Sequence, residues 1–136
     1  MEYTQKELEA MSDYEVNKLV ARKWLSCDYY LNKIDQTVDL ISINTYLGAY
    51  GEPDEREEKY AEFNPCNDPS SIMPLAKENR IAVSPVSDKK EWCAHWGIDT
   101  GEGVQIYYDD ENPYRAIAIV YLIMNKGSGE NESNNT

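Results

Sequence analysis

A short segment near the C-terminal end, residues 116–124, limits the possible folds more than any other part of the sequence. Asn112 and Pro113 precede it as a helix cap and a first-turn proline. A helix that is apolar all round must be covered by the rest of the chain, and this one is too short to cross a bilayer. We therefore expect a central helix around which the domain is built. Its apolar residues are Ala116, Ile117, Ile119, Val120, Leu122, Ile123 and Met124.

The length of the chain, 136 residues, suits one domain with a conventional core. From Gly127 onward the sequence is polar and lacks large apolar side chains, which is typical of disorder. We expect a single domain over residues 1–126 and a disordered tail over residues 127–136. Widely spaced cysteines without a CxxC pair indicate reduced thiols in a cytosol. They are Cys27, Cys66 and Cys93.

Three further segments carry helix-start signals. A capping box at residues 12–15 precedes an apolar stripe at helical spacing, which should face the core. A similar box at residues 4–7 predicts a short turn that ends near Met11. The Asp-Pro pair at 68–69 predicts another helix, with the serines at 70–71 as alternative caps.

Strand patterns occur in four places. Residues 36–43 alternate β-branched and apolar positions, and residues 81–85, 91–96 and 103–108 form three short runs separated by turns. The connections between these last three runs are too short for parallel crossovers, which favours antiparallel pairing. The sequence therefore predicts an α+β fold in which a small antiparallel sheet packs against two or three helices.

The segment between residues 48 and 62 is rich in glycine, proline and carboxylates. Arg56 and Lys59 are its two basic residues. We predict a solvated loop, with a negative face for a basic partner as the alternative. The acidic residues are Glu52, Asp54, Glu55, Glu57, Glu58 and Glu62.

Charge and motif content argue against several functions. A net charge of −12 repels a polyphosphate backbone, so we expect no direct nucleic-acid binding. His95 is the single histidine, and HExxH, GxSxG and phosphate-loop motifs are all missing. Cys93 shares a strand face with His95, but packing explains this pair better than nucleophilic chemistry. Carboxylates at 109–111 fit helix capping better than a metal. We expect no cofactor, no metal and no catalysis.

The tryptophans suggest a binding surface instead. Trp92 and Trp96 lie on one face of a predicted strand, with Tyr107 or Tyr108 on a neighbouring strand. Such rings can stack on a nucleobase while a nearby arginine clamps its phosphates. The alternative is that both tryptophans belong to the core between sheet and helices.

Three segments resemble the NinX family of lambdoid phage accessory proteins. They are MSDYEVNKLVA at residues 11–21, NPCNDPSSIMP at residues 64–74 continuing to ENRI at 78–81, and NPYRA at residues 112–116 leading into the apolar helix. The long segment at 26–63 has no counterpart in the resemblance.

The resemblance implies a phage accessory protein, a class that often modulates host defence or host regulation, and implies no reaction. Its middle segment places Asn64 and Asn67 ahead of a helix N-terminus, where an anionic group is favoured, although Asp68 can serve there as a plain cap. The candidate ligand-binding residues are Trp92, Trp96, His95, Arg80, Arg115, Asn67, Asn64 and Tyr108.

We expect counter-defence in the host bacterial cytoplasm by non-catalytic sequestration of a small nucleotide-like immune signal. The alternative is an acidic protein-interaction module, in one form a DNA mimic, that inhibits or modulates a host protein. We expect no membrane association. Eleven tyrosines also permit self-association as a homo-oligomer.

Overall fold

The computed structural model describes residues 3–97 and 106–125. Within them lie four helices, α1 (Gln5–Ala10), α2 (Asp13–Trp24), α3 (Pro69–Asn79) and α4 (Pro113–Met124). The strands are β1 (Tyr29–Asn32), β2 (Thr37–Leu47), β3 (Pro53–Glu62), β4 (Ala82–Pro85), β5 (Trp92–Trp96) and β6 (Ile106–Asp110). They form two antiparallel sheets, β1-β2-β3 and β4-β5-β6. The predicted α+β class is confirmed.

The helices begin where the caps predict. Capping boxes close at residues 4–7 and 12–15, ahead of α1 and α2. Asp68, rather than either serine after it, caps α3, because its carboxylate accepts a hydrogen bond from the Ser70 backbone N–H at 3.0 Å. Pro69 then occupies the first turn, where its missing N–H costs little.

The apolar helix α4 is central, as predicted. It contacts the other three helices and every strand of the β4-β5-β6 sheet. Burying a Val, Leu or Ile side chain contributes roughly 1.5–3 kcal/mol, so this helix anchors the domain. Its fully buried residues are Ala116, Ile117, Ala118, Ile119 and Val120.

The β4-β5-β6 sheet covers one side of α4. Ala94 at the middle of β5 pairs with Val83 on one side and with Tyr108 on the other, and it is fully buried. The predicted strands at 81–85 and 91–96 are confirmed, and the last strand runs to Asp110. The start of the predicted strand at 103–108 and the predicted tail, 127–136, lie outside the described residues.

The predicted loop at 48–62 is wrong over most of its length, because residues 53–62 form β3. This strand pairs with β2 from Leu47 opposite Pro53 to Asp39 opposite Glu62. The high charge and the glycine and proline content of this segment are typical of a loop, although the segment forms one strand of a hairpin. In the turn of this hairpin, the Gly48 N–H donates to the Glu52 carbonyl at 2.8 Å. Strand β2 is also four residues longer than its predicted end at 43, since β3 supplies the ladder that extends it.

None of the helices within residues 3–97 and 106–125 is both long and apolar enough to span a membrane.

Candidate functional site

Four of the predicted site residues gather around the N-terminus of α4. Arg115 and Tyr108 both interact with Asp110, while Asn64 and Asn67 approach from the loop before α3. We call this group of polar side chains the α4 cluster. It comprises Asp13, Asn17, Asn64, Asn67, Tyr108, Asp110, Asn112 and Arg115.

Arg115 is bound within the protein on several sides. Its Nη1 donates to Asp13 Oδ1 at 2.7 Å, and its Nε lies 3.6 Å from Asp110 Oδ2. Its Nη2 donates to the Met11 carbonyl at 2.7 Å and lies 3.3 Å from the carbonyls of Leu8 and Glu9. The side chain is 11% exposed. The guanidinium therefore holds the C-terminal carbonyls of α1 against α4, and these contacts occupy the donors that would clamp a phosphate.

The asparagines form a chain of hydrogen bonds beside Arg115. Asn17 donates to Asn64 Oδ1 at 2.9 Å and accepts from the Cys66 backbone N–H at 3.0 Å. Asn112, the cap of α4, donates to the Cys66 carbonyl at 2.6 Å and to Asn67 Oδ1 at 3.2 Å. These bonds join the start of α2, the loop before α3 and the start of α4. Because Asn17 is buried and its side chain is bonded both as donor and as acceptor, these bonds favour one arrangement of the three segments.

A cleft of about 100 Å³ opens between α2, β2 and the segment after β3. Asn64 and Asn67 line it together with the carboxylates of Asp13 and Glu62. Ligand pockets for drug-sized molecules usually measure about 300–1,000 Å³, so this cleft is too small for a nucleotide. It has room for a small polar group.

Burial shapes the acid–base behaviour of the cluster. Burial raises the pKa of Tyr108 to about 12, and the charges of Glu9 and Asp110 add to the effect while Arg115 opposes it. Burial also raises the pKa of Cys66 to about 12, with a further contribution from Asp13. Because a thiol acts as a nucleophile only as the thiolate, Cys66 is a packing residue.

The tryptophans are neither core residues nor a closed platform. Strand alternation places Trp92 and Trp96 on the same face of β5 as Ala94, the face that packs on α4, and each is 37% exposed. At about 3.3 Å per residue, their Cα atoms lie roughly 13 Å apart, with Ala94 between them. Register puts Tyr108 on this face and Tyr107 on the other.

The tryptophans thus lie at opposite ends of the sheet. Trp92 pairs with Asp110 and so belongs to the end that carries Arg115. Trp96 pairs with Ile106 at the other end, near the chain entry into β4. Arg80 lies at that entry, exposed and in the left-handed conformation (φ 59°) at the end of α3.

His95 and Cys93 occupy the outer face of β5. His95 pairs with Tyr107, and Cys93 pairs with Asp109. Burial, together with the neighbouring Asp109, raises the pKa of Cys93 to about 11. A protonated thiol beside a carboxylate fits packing rather than nucleophilic attack. Among the described residues, no group of three or more His, Cys, Asp or Glu side chains could hold a metal ion.

A second candidate site is the hairpin formed by β2 and β3 beyond the body of the domain. We call residues 41–62 the acidic hairpin. Every residue of β3 except Glu58 is exposed. Its carboxylates alternate between two faces, with Asp54 and Glu58 on one and Glu55 and Glu57 on the other.

One face of the acidic hairpin is internally bonded. Asn44 donates to Glu58 Oε1 at 2.7 Å, and the Tyr46 hydroxyl donates to the same oxygen. These hydrogen bonds lower the pKa of Glu58 and raise that of Tyr46. Arg56 donates to Asp54 at 2.9 Å and lies over the Tyr46 ring at 4.9 Å from its centroid. The carboxylates of Asp54 and Glu58 are therefore already bonded to neighbouring side chains on the same face.

The opposite face leaves apolar side chains in solvent. Ile43 is 54% exposed and Leu47 is 76% exposed. They lie on β2 beside Glu57 and Pro53, their partners on β3. Exposed apolar residues next to unpaired carboxylates are the usual composition of an interaction surface.

The family model of Bacteriophage P22 NinX matches residues 8–125. The chain belongs to this NinX family. No curated protein and no solved structure matches it. The match spans residues 26–63 as well, the region that the sequence resemblance left without a counterpart, so β1, β2 and β3 fall within the NinX family match.

The three segments that carry the NinX resemblance meet in the α4 cluster. Asp13 and Asn17 come from the first segment, Asn64 and Asn67 from the second, and Arg115 from the third. Their contacts hold these three segments together, which gives the residues a role in folding.

Sequence reasoning missed Asp13, Asn17, Asp110 and Asn112 as members of this cluster. Asn112 was predicted as a cap, and its second role, bonding the loop at Cys66, depends on a contact 46 positions away. An asparagine on the inner stripe of α2 was the available signal, since a buried amide must find partners.

Proposed function

We propose that the protein binds a host protein through the acidic hairpin, as a phage accessory protein acting without catalysis in the cytoplasm of the infected bacterium. The observation that supports this most directly is β3, a ten-residue strand that is exposed almost throughout. A strand that adds so little to the core costs conformational entropy to order. Binding is the function that an exposed, ordered and charged strand can perform.

The chemistry of the hairpin defines the partner. Glu55 and Glu57 lie on the same face as the exposed Ile43 and Leu47. A complementary surface has lysine or arginine side chains around an apolar centre. Charge complementarity of this kind speeds association and orients the partner, while apolar burial supplies much of the affinity.

The division of the β3 carboxylates between two faces also limits the shape of the partner. A DNA mimic on one convex face needs its carboxylates on one side, whereas β3 divides them between two faces. This arrangement argues against a DNA mimic and favours a basic partner that contacts the face with Glu55 and Glu57.

The test compares two doubly neutralised variants of the full chain. Glu55→Gln with Glu57→Gln removes charge from the hairpin, and Glu78→Gln with Asp88→Asn removes the same charge elsewhere on the surface. Each tagged protein is incubated with host lysate, and the affinity for any captured protein is then measured at several salt concentrations. We expect the hairpin variant to bind at least about tenfold more weakly and with a shallower salt dependence. Equal binding by both variants contradicts the proposal.

A second candidate function is sequestration of a small nucleotide-like immune signal. The observation in its favour is the partial exposure of Trp92 and Trp96 on one sheet face, since half-exposed indoles can stack on bases. Arg80 is the exposed arginine on the side of Trp96.

Native mass spectrometry after incubation with lysate from defence-activated cells tests this candidate. A retained nucleotide-sized mass that is lost in Trp96→Ala and Trp92→Ala, but kept in Tyr30→Ala, supports sequestration. Tyr30 is a suitable control because it is exposed on the other sheet. An unchanged protein mass, with a host protein recovered instead, supports the acidic hairpin.

A further inference from the structure

Strand β2 has one edge that is only partly covered. Along one side it pairs with β3 from Asp39 to Leu47. Along the other side β1 pairs only with residues 37–40, and the Ile41 backbone N–H donates to the Asp28 carbonyl at 3.2 Å. From residue 42 to residue 47, no strand of the described chain lies on that side.

The backbone groups of three residues point to this open edge. The N–H of Ile41 points to the β1 side, and the N–H of Gly48 points to the β3 side, where it donates to Glu52. Backbone groups alternate in direction along a strand of an antiparallel sheet. Ile43, Thr45 and Leu47 therefore direct their N–H and C=O groups to the open edge.

The open edge lacks the usual protection against pairing. Natural edge strands carry charges or proline that prevent association with another strand. Residues 42–47, with the sequence SINTYL, contain neither. β3, by contrast, begins with Pro53 and carries charges along its length. The uncharged edge also bears the exposed Ile43 and Leu47.

We propose that a second copy of the chain pairs with this edge in antiparallel fashion, with the two-fold axis at Thr45. In this register Ile43 lies opposite Leu47 of the second copy, and Leu47 lies opposite its Ile43. Each of these pairs and the central Thr45 pair exchange backbone hydrogen bonds, because all three residues direct their groups outward. A two-fold axis normal to the sheet keeps equivalent faces together, so both exposed apolar residues find apolar cross-strand partners.

Electrostatics favours this edge over the edge of β3. Pairing two β3 strands would bring Glu55 and Glu57 close to the same residues of the second copy, and like charges destabilise such pairs. In the order β3-β2-β2-β3 the two acidic strands are separated by three strand spacings, roughly 14 Å. This distance exceeds the Debye length of about 8 Å at physiological salt. The dimer is argued from the open edge of β2 and leaves both β3 strands exposed, so the inference does not depend on the proposed function, although Ile43 and Leu47 take part in both.

Sedimentation equilibrium of the full chain over a wide concentration range tests the proposal. We expect a monomer–dimer equilibrium that strengthens with added salt, because each copy carries a net charge of −12. Thr45→Lys should weaken the association constant at least about tenfold, since two lysines would then face each other at the axis. The matched control is Glu55→Lys, which alters the cross-strand neighbour of Thr45 on β3 and should dimerise at least as well as the unaltered chain.

Both variants change exposed positions, and circular dichroism verifies that each is folded. A chain that stays monomeric at every concentration overturns the proposal. So does a Thr45→Lys variant that dimerises normally, and so does loss of the dimer in Glu55→Lys.

A crosslink tests the register directly. In a Cys27→Ser background, Thr45→Cys should form a disulfide-linked dimer on mild oxidation, because paired Cα atoms about 5.5 Å apart lie within disulfide range. Glu55→Cys in the same background is the control. Glu55 is exposed, as Thr45 is, but it lies on the outer strand β3, so this variant should stay uncrosslinked. The reverse result assigns the contact to β3 and contradicts the register.

Discussion

The two sheets of this protein each have three antiparallel strands in sequence order, but one sheet is packed on the core and the other extends away from it. The β4-β5-β6 sheet lies on α4, and Ala94 and Tyr108 at its centre are buried. In the β1-β2-β3 sheet, Val38 near the base is buried, whereas β2 and β3 continue into solvent as the acidic hairpin. Strand pairing and side-chain contacts such as Asn44–Glu58 and Arg56–Asp54 extend the hairpin without core packing. We therefore expect mutations there to destabilise the fold less than mutations in and around the core.

The largest expected difference between the two regions concerns isoleucines. Ile117→Ala in α4 should lower the free energy of unfolding by about 3–4 kcal/mol, because the side chain is fully buried and its removal leaves a cavity. The matched change Ile43→Ala, at a half-exposed position on the hairpin, should stay within about 0.5 kcal/mol. Urea unfolding of both variants under conditions where the chain is monomeric measures the difference. Equal losses would contradict the distinction between core and hairpin.

The arginines give the next comparison. Arg115→Met should cost about 2–3 kcal/mol, because it removes the hydrogen bonds to Asp13 Oδ1 and to the Met11 carbonyl and the cation beside Asp110. Arg56→Met, which breaks an exposed pair with Asp54, should cost less than about 0.5 kcal/mol. Thermal unfolding can compare the two, and a loss of helical signal specific to Arg115→Met would locate the damage at α1. A neutral Arg115→Met would show that the α4 cluster does not hold the helices together.

A smaller effect is expected for the asparagine chain. Asn17→Ala removes the acceptor for the Cys66 N–H and the donor to Asn64, and should cost about 1–2 kcal/mol. Asn44→Ala is the corresponding change on the hairpin, where water can replace the bond to Glu58, and it should cost less. Denaturant midpoints measure both. Reactivity of Cys66 towards a thiol reagent should rise in Asn17→Ala, since the loop that buries this thiol loosens.

The smallest effect concerns pH at the base of the hairpin. Burial raises the pKa of Asp39, but hydrogen bonds from Thr37, Asn32 and Lys59 outweigh burial and lower it below its ordinary value of 3.8. A lowered folded-state pKa stabilises the fold above the unfolded-state pKa, and this contribution is lost as pH falls through the folded-state pKa. We therefore expect stability to decrease below about pH 4, and Asp39→Asn to flatten that decrease. Unfolding curves from pH 6 to about pH 2.5 test this, and an unchanged acid slope in Asp39→Asn would contradict it.

Local signals predicted the helices well. The caps at Ser12, Asp68 and Asn112 accept hydrogen bonds from residues two or three positions away, so a short stretch of sequence is enough to predict each helix start. The central position of α4 also followed from the sequence, because an all-apolar helix that is too short to cross a bilayer must be covered by the rest of the chain. The three short strands from residue 82 to residue 110 followed from alternation and short connections.

Residues 53–62 of the acidic hairpin were predicted incorrectly because this strand is stabilised by a partner and not by its own composition. Residues 53–62 have few residues with high β propensity, yet the β2 ladder holds them extended. Strand β1, at Tyr29–Asn32, was missed for a similar reason, since all four of its residues are held extended by pairing with β2.

The candidate site depended still more on tertiary structure. Sequence reasoning selected Arg115 as a phosphate clamp, but the fold surrounds it with partners from residues 8–13, about a hundred positions away. It also grouped Trp92 with Trp96, which the strand places at opposite ends of one face.

By itself, the sequence determined the α+β class, the helix starts, the central helix and the family. Each of these depends on the order of residues within about a dozen positions or on composition. Only the tertiary structure decided that Arg115 is internally bonded, that residues 53–62 form a strand, and that β2 keeps an open edge. These features depend on contacts between distant segments, and which polar groups are left unpaired is known only after the chain has folded.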